Sequence, residues 1–433
     1  MKNVLFIVYY FPPMGGSGVQ RSLKFAKYLR EFGWTPVILC PEPGAYQFFD
    51  QSLENELKNL NLEIHQVEAK TPFHSLGGSK KGTGLITGIT AKVLRKISKW
   101  IYFPDNKKGW IKPAITEGSS IIESKKIDLI FSSAPPFSNH LIAERLSEQF
   151  KIPFVSDYRD LFSSNQFDVN ESDKRKRKKY KLEAEWLSKS SGVTVLDDFA
   201  KDLITNIDPS VSGKIKVIPH GFDQDDFKEK DISNFEYKEG KLNWLYSGLF
   251  YESNQPDIFL NAIKKVGEKN ESFINDIHLH FQGGLDSRIK KLIKRLELEE
   301  SVTDYGYLPH NISAVNLMEA DILWMISSFS ESLKQIKSGK LFEYIGAKKP
   351  VLGLVHEGEA SKILEKYKIG YHARPNNIND VTAKVEEIYQ LWKLNKYPEV
   401  SDEFVEHYNR KKLSGELATF FDEITKKHEY MNA

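Results

Sequence analysis

Lys340 and Glu343 stand three residues apart in "SGKLFEYIGAKKPVLGLV", residues 338–355. Leu341, Phe342, Tyr344, Ile345 and Ala347 give this stretch the apolar spacing of a short helix on a core, and Pro350 ends it before the strand-like "VLGLV". A lysine in the first turn of a helix opposes the helix dipole unless an anion lies there. Free N–H groups at a helix start bind phosphate well, and Ser338 is placed to cap them. Glu343, near the same face, can accept hydrogen bonds from ribose hydroxyls, as the acidic residue of dinucleotide folds does. The competing reading is a capping or surface pair without a ligand.

Other groups raise the same choice. "GGSGVQ" (15–20) puts Gly15 and Gly16 where a backbone can approach an anion with no Cβ in the way. Gln20 and Arg21 stand where a dinucleotide fingerprint would place its last glycine. "DYRD" sets Asp157, Arg159 and Asp160 at the end of an apolar run, as either a functional cluster or a structural ion-pair network. His140 opens a helical stretch after "SSAPPFSN", and its plain alternative is a packing histidine. "DQD" (223–225) mimics a metal-binding carboxylate pair but reads as a turn. His278 and His280 alternate on a strand and read as ordinary strand residues ahead of a metal pair.

The elements that must position these groups alternate along the chain. "NVLFIVYY" (3–10), "TPVILC" (35–40), "IDLIFSS" (127–133), "IPFVSD" (152–157) and "GVTVL" (192–196) are apolar runs separated by stretches of helical period. That order predicts a parallel sheet covered by helices. The pattern breaks around 205–240 and a second series begins at "LNWLYSGL" (242–249). Two doubly wound domains with a linker near 217–222 follow, and a ligand belongs at the carboxyl ends of their strands.

Composition narrows the class. A chain of 433 residues has room for two or three domains. A net charge of +2 gives no global basic field for nucleic acid. The single cysteine, Cys40, excludes a disulfide framework, suits a reducing cytosol and reads as a small core residue. "MKNVLFIVYYFPP" is too short to span a membrane and lacks a cleavage site, so it reads as a first strand. Two stretches carry a peripheral membrane reading beside a plain one. Residues 85–103 set apolar and basic residues at helical spacing, and 174–181 hold seven basic residues in eight. A docked helix and a solvated helix end are the alternatives.

The sequence resembles the retaining GT-B glycosyltransferases of the family 4-like group 1, and within them a subgroup that builds bacterial surface polysaccharides. "GKLFEYIGAKKPVL" resembles the signature of their C-terminal domain. "YYFPPMGGSGVQRSLKFAKYLREFGW" resembles their first strand, glycine loop and helix. "FPDNKKGWIKPA" and "IDLIFSSAPPFSNHLIAERLSEQFKIPFVSDYRDLF" resemble blocks of the subgroup. "VIPHGFDQDDF" resembles their interdomain turn, with His220 in place of the usual Asn.

The resemblance implies two Rossmann-like domains facing a central cleft. An acceptor-side domain would span 1–217, rejoined by a terminal helix at 405–433, and a nucleotide-sugar domain 218–404. It implies transfer of a sugar from a nucleotide-diphosphate sugar to a hydroxyl of a glycan or lipid-linked glycan. It implies no metal and no cofactor beyond that substrate, and a cytoplasmic place, with the inner face of the membrane as one alternative. Glu343 would bind the ribose and Lys340 the diphosphate. Gly15, Gly16 and Gly248 would line the donor. His140, Asp157 and Arg159 would serve catalysis. Arg21, Asp160 and Glu331 would contact phosphate or acceptor. Two departures stand out. Gln335 replaces a glutamate eight positions before Glu343, and "YSGLFYESNQP" lacks the basic pair that often follows its Ser-Gly turn. Alternatives are a non-catalytic relative that binds sugar nucleotide or glycan, and an NAD-dependent Rossmann oxidoreductase. The oxidoreductase needs the missing third glycine, although Glu42 lies roughly where its acid belongs.

Overall fold

The computed structural model describes residues 1–43, 49–69, 103–165, 171–228, 230–251, 254–327, 339–398 and 400–432. Glu331, Gln335, Ser338 and 85–102 lie outside the described residues. The chain divides into two compact units, Met1–Pro219 with Leu413–Ala433, and His220–Lys412.

The strands of the first unit are β1 (Lys2–Ile7), β2 (Trp34–Pro41), β3 (Glu63–Val67), β4 (Leu129–Ala134), β5 (Phe154–Tyr158), β6 (Gly192–Val195) and β7 (Ile215–Val217). They form one parallel sheet in the order β3-β2-β1-β4-β5-β6-β7. The central strands are buried along nearly their whole length, which is why they read as unbroken apolar runs. The edge strands carry weaker signals. "EIHQV" in β3 is half exposed and β7 is three residues long, so sequence periodicity did not reveal them.

The terminal helix Arg410–Asn432 completes the core of this first unit. Leu413, Leu417, Phe420, Phe421 and Ile424 pack into it, and the Phe421 ring meets Trp34 and Phe131 at 5.3 and 5.5 Å. A Cβ at Gly192 would lie 2.7 Å from the Phe420 ring, so β6 and this helix fit only with a glycine there. The return to the first unit falls at Leu413 instead of 405. The cause is the short helix Asp402–Glu406 and Tyr408, whose Phe404, Val405 and Tyr408 pack with Phe342 and Tyr367 of the second unit.

The second unit repeats the plan with β8 (Leu242–Ser247), β9 (Ile277–Gln282), β10 (Val302–Asp304), β11 (Ile322–Ile326), β12 (Val351–Leu354) and β13 (Gly370–Ala373). Their order is β10-β9-β8-β11-β12-β13, all parallel. On one face Trp324 stacks on Phe259 at 3.9 Å, beside Trp244, Tyr246 and Phe281. On the other lies the helix Gly339–Gly346, with Leu341, Phe342, Tyr344 and Ile345 buried. The Tyr344 hydroxyl accepts a hydrogen bond from Ser247 N at 2.9 Å and donates to Trp324 O at 3.3 Å. It thereby pins this helix to the end of β8 and the middle of β11.

Tyr344→Phe removes both bonds and adds no bulk. A buried donor left unsatisfied costs about 1–3 kcal/mol. The thermal unfolding midpoint should fall by several degrees, and an unchanged midpoint would show that the hydroxyl does not hold the helix.

Candidate functional site

Strand order in the second unit reverses between β8 and β11. Connections leaving the two strands diverge there, and ligands of open α/β sheets bind in the crevice so formed. Gly248 follows β8 at this point, and the helix carrying Lys340 and Glu343 follows β11.

Gly248 has φ +123°, a region that favours glycine, and a Cβ there would lie 2.2 Å from Lys340 Nζ. Lys340 therefore lies across the glycine. Its ammonium donates to the Tyr246 hydroxyl at 3.0 Å and sits 4.5 Å over the Tyr246 ring. Burial pushes the Lys340 pKa down to about 8, against the opposing pull of the Glu343 charge. Gly283, after β9, has φ +128°, and its Cβ would strike Gly248 O at 2.3 Å. The two loops thus touch backbone to backbone. Gly248 N donates to Gln282 O at 2.6 Å and Gly283 N to Gly306 O at 2.7 Å. The result is a floor without side chains beside a half-sheltered cation.

Glu343 is 26% exposed, and His310 Nε2 lies 3.5 Å from its Oε1. Burial would raise the Glu343 carboxyl. The hydrogen bond and charge of His310, with the charges of Arg410 and Lys340, hold it below the usual carboxylate range. Glu343 is thus an ionised acceptor near neutral pH. His310, Tyr246 and Gly283 were not singled out in the sequence. Of the three, only the glycine pair in "QGG" carried a signal.

In the first unit Gly15 and Gly16 follow β1 at the corresponding reversal, next to β4, and lead into the helix Ser17–Tyr28. Gly16 is exposed with φ +101°. Asp160 is exposed as well. The structure holds Arg21, Asp157, His140 and Arg159 in packed surroundings. Arg21 and Asp157 are 1% and 0% exposed and form one buried pair. Arg21 Nη2 donates to Asp157 Oδ1 at 2.8 Å, and Nη1 to Pro219 O at 2.9 Å. Asp157 also accepts from Ser133 Oγ and Thr194 Oγ1, each at 2.7 Å. Burial would raise its carboxyl, but the Arg21 charge and these bonds keep it low. This carboxylate faces no open cleft, and it locks β4, β5 and β6 to the first helix.

His140 is likewise buried, in the helix Ser138–Phe150 among Phe137, Tyr158 and Trp186. Its Nδ1 lies 2.8 Å from Ser132 Oγ, and Nε2 has no hydrogen-bond partner. Burial pushes its pKa down to about 3, so the ring is neutral. Arg159 is half-buried and donates to the carbonyls of Gly18, Ala134 and Pro135, which makes it a clasp on the two loops.

The remaining candidates have structural duties. Asp223 caps the turn Gln224–Phe227 by accepting from Asp225 N at 3.0 Å. His278 contacts Thr303 Oγ1 at 2.9 Å, and His280 contacts Tyr305 and Asn243 at 3.0 Å each.

Residues 227–400 match the model of the family described as glycosyl transferases group 1. Over this stretch the chain is similar to the group 1 glycosyl transferases. The transferase class expected from the sequence motifs agrees with that match. No curated protein sequence matches the chain. Among solved structures, a glycosyltransferase from Rickettsia africae is similar over 98% of both chains, at 15% identity and a TM-score of 0.68. Anabaena HepE, in complex with UDP and glucose, is similar over 98% of this chain and 100% of its own, at 13% identity and 0.65. S. aureus TarM, in complex with fondaparinux, alpha-GlcNAc-glycerol and UDP, is similar over 97% and 100%, at 13% identity and 0.61. At such identities the likeness is one of fold, and the fold is GT-B.

Removing one partner of a buried ion pair strands the other charge at a cost of about 3–5 kcal/mol. Arg21→Ala should therefore destabilise the first unit severely in denaturant unfolding. The double change Arg21→Met, Asp157→Leu should lose less than that single one, and the reverse ranking would remove the pair's structural role.

Proposed function

We propose that the protein transfers a sugar from a nucleoside-diphosphate sugar to a hydroxyl of a glycan or lipid-linked glycan acceptor, with retention at the anomeric carbon. The observation that carries this reading is the grouping of Gly248, Lys340 and Glu343 at the strand-order reversal of a unit similar to the group 1 glycosyl transferases. Glu343 takes the ribose hydroxyls. The side-chain-free floor at Gly248 and Gly283 lets a diphosphate approach. Lys340 then leaves Tyr246 for the phosphate oxygens.

In the transfer the bond from the anomeric carbon to the diphosphate oxygen breaks, and its electron pair stays with the diphosphate. The acceptor oxygen bonds the anomeric carbon, and the acceptor proton passes to the departing diphosphate. The barrier lies in the charge that develops on the leaving group. A fixed cation aimed at it supplies several kcal/mol, and Lys340 is cationic below about pH 8. No electrons change hands, so a redox cofactor has no part, and the reading assigns no metal.

The acceptor side belongs to bacterial surface polysaccharide synthesis in this proposal, with the protein cytoplasmic and working at the inner face of the membrane. The helix Asp173–Lys189 supports that placement. It buries Lys179, Glu183, Trp186 and Leu187. Lys174, Arg177 and Lys181, spaced i, i+3 and i+7, are exposed on its outer face, while Lys178 lies over the Phe103 ring at 4.0 Å. Like charges at these spacings repel by about 0.2–0.5 kcal/mol per pair, a cost that an anionic lipid surface repays at about 1 kcal/mol per cation. Among the described residues no helix is long and apolar enough to cross a membrane.

Thermal unfolding with UDP-, GDP-, ADP- and dTDP-sugars, and NAD as control, tests the donor. A ligand at 100 times its dissociation constant adds about 2.7 kcal/mol. One nucleotide class, with UDP tried first because the HepE and TarM structures contain it, should raise the midpoint in the wild type and not in Glu343→Ala. A shift from NAD alone would overturn the reading. The anomeric configuration of the product made from that donor then tests retention. Sedimentation with phosphatidylglycerol vesicles tests the surface: Lys174→Glu, Arg177→Glu and Lys181→Glu together should abolish binding, and undiminished binding would remove this helix from the membrane contact.

A further inference from the structure

We propose that His310 is the positioning residue that sets Glu343 for the ribose of the donor, holding one carboxylate oxygen and leaving the other for the hydroxyls. This inference rests on the donor reading above. A glutamate side chain turns about three bonds, and fixing it costs rotational freedom. One free oxygen of an ionised carboxylate has two lone pairs and can accept two neighbouring hydroxyls when the group is held in one orientation. The structure meets both needs from a different element.

His310 is the first residue of the helix His310–Glu319, directly after Pro309, so backbone geometry fixes where its ring starts. Its Nε2 stands 3.5 Å from Glu343 Oε1, with the two side chains 17% and 26% exposed. That shelter strengthens the contact while leaving the carboxylate reachable. Two cations also act on Glu343: Arg410, 6% exposed, and Lys340, whose ammonium the Tyr246 hydroxyl holds at 3.0 Å. These contribute charge. The ring at Oε1 contributes direction, which a ribose-recognising carboxylate requires.

The test measures affinity for UDP and 2′-deoxy-UDP by calorimetry, with GDP and 2′-deoxy-GDP in parallel, in the wild type, His310→Ala, His310→Gln and Glu343→Gln. The wild type should prefer the ribonucleotide. In His310→Ala the ribonucleotide should weaken by about tenfold, the size set by the freed side-chain rotation, while the deoxy form changes little, so the preference collapses. His310→Gln, which keeps an N–H donor, should restore part of it. A change that merely loosened the helix would weaken both sugars alike.

An unchanged ribose preference in His310→Ala, with the preference lost in Glu343→Gln, overturns the role of His310 and leaves the donor reading intact. An unchanged preference in Glu343→Gln overturns the ribose reading and this inference with it. Absence of binding by both nucleotide pairs does the same.

Discussion

Every strand of both sheets is parallel, and that constraint arranges everything else. Parallel strands send all their carboxyl ends to one edge. Residues distant in sequence, such as Gly248 after β8, Gly283 after β9 and Lys340 after β11, therefore meet there. The cost is that the sheet interior must be apolar on both faces. Trp244, Trp324, Phe259 and Phe281 fill the second unit, and Phe6, Phe131 and Phe421 the first. The polar chemistry is left to the loops.

Two charged pairs show how differently burial can be used. Arg21 and Asp157 are sealed, and their hydrogen bonds point at each other, at Ser133 and Thr194, and at the Pro219 carbonyl. Nothing remains for a ligand, so this pair joins strands to a helix. Lys340 and Glu343 are sheltered yet open. Burial lowers one pKa to about 8, and the cations around the other keep it ionised. Charge held under partial shelter is charge that a diphosphate or a ribose can still compete for.

Much of this was legible in the residues, for identifiable reasons. The Lys340 and Glu343 spacing spoke because three residues on a helix share a face, and the order of the central strands spoke because buried parallel strands are continuous apolar runs. Other features lay beyond that kind of reading. Arg21 finds Asp157 across 136 positions, a distance that no local period encodes. "DYRD" read as either a functional cluster or an ion-pair network, and its local sequence could not show that Asp157 faces inward and Asp160 outward. His140, which the resemblance assigns to catalysis, has its ring enclosed by three aromatic side chains. His310 was silent because its partner lies on another helix. Edge strands β3, β7 and β13 were missed because they are short or half-polar.

The terminal helix has one further effect, on the order in which the chain is made. Domains fold as units while synthesis proceeds from the N-terminus. The second unit is a single unbroken segment, His220–Lys412, whereas the first still lacks Leu413–Ile424 when that segment has been made. Until those residues leave the ribosome, the slot above Gly192 and the rings of Trp34 and Phe131 have no Phe420 or Phe421 to cover them. The half of the protein synthesised first is therefore the half finished last. A chain ending at residue 412 would present one complete fold and one open apolar face, the kind of surface on which a chaperone acts.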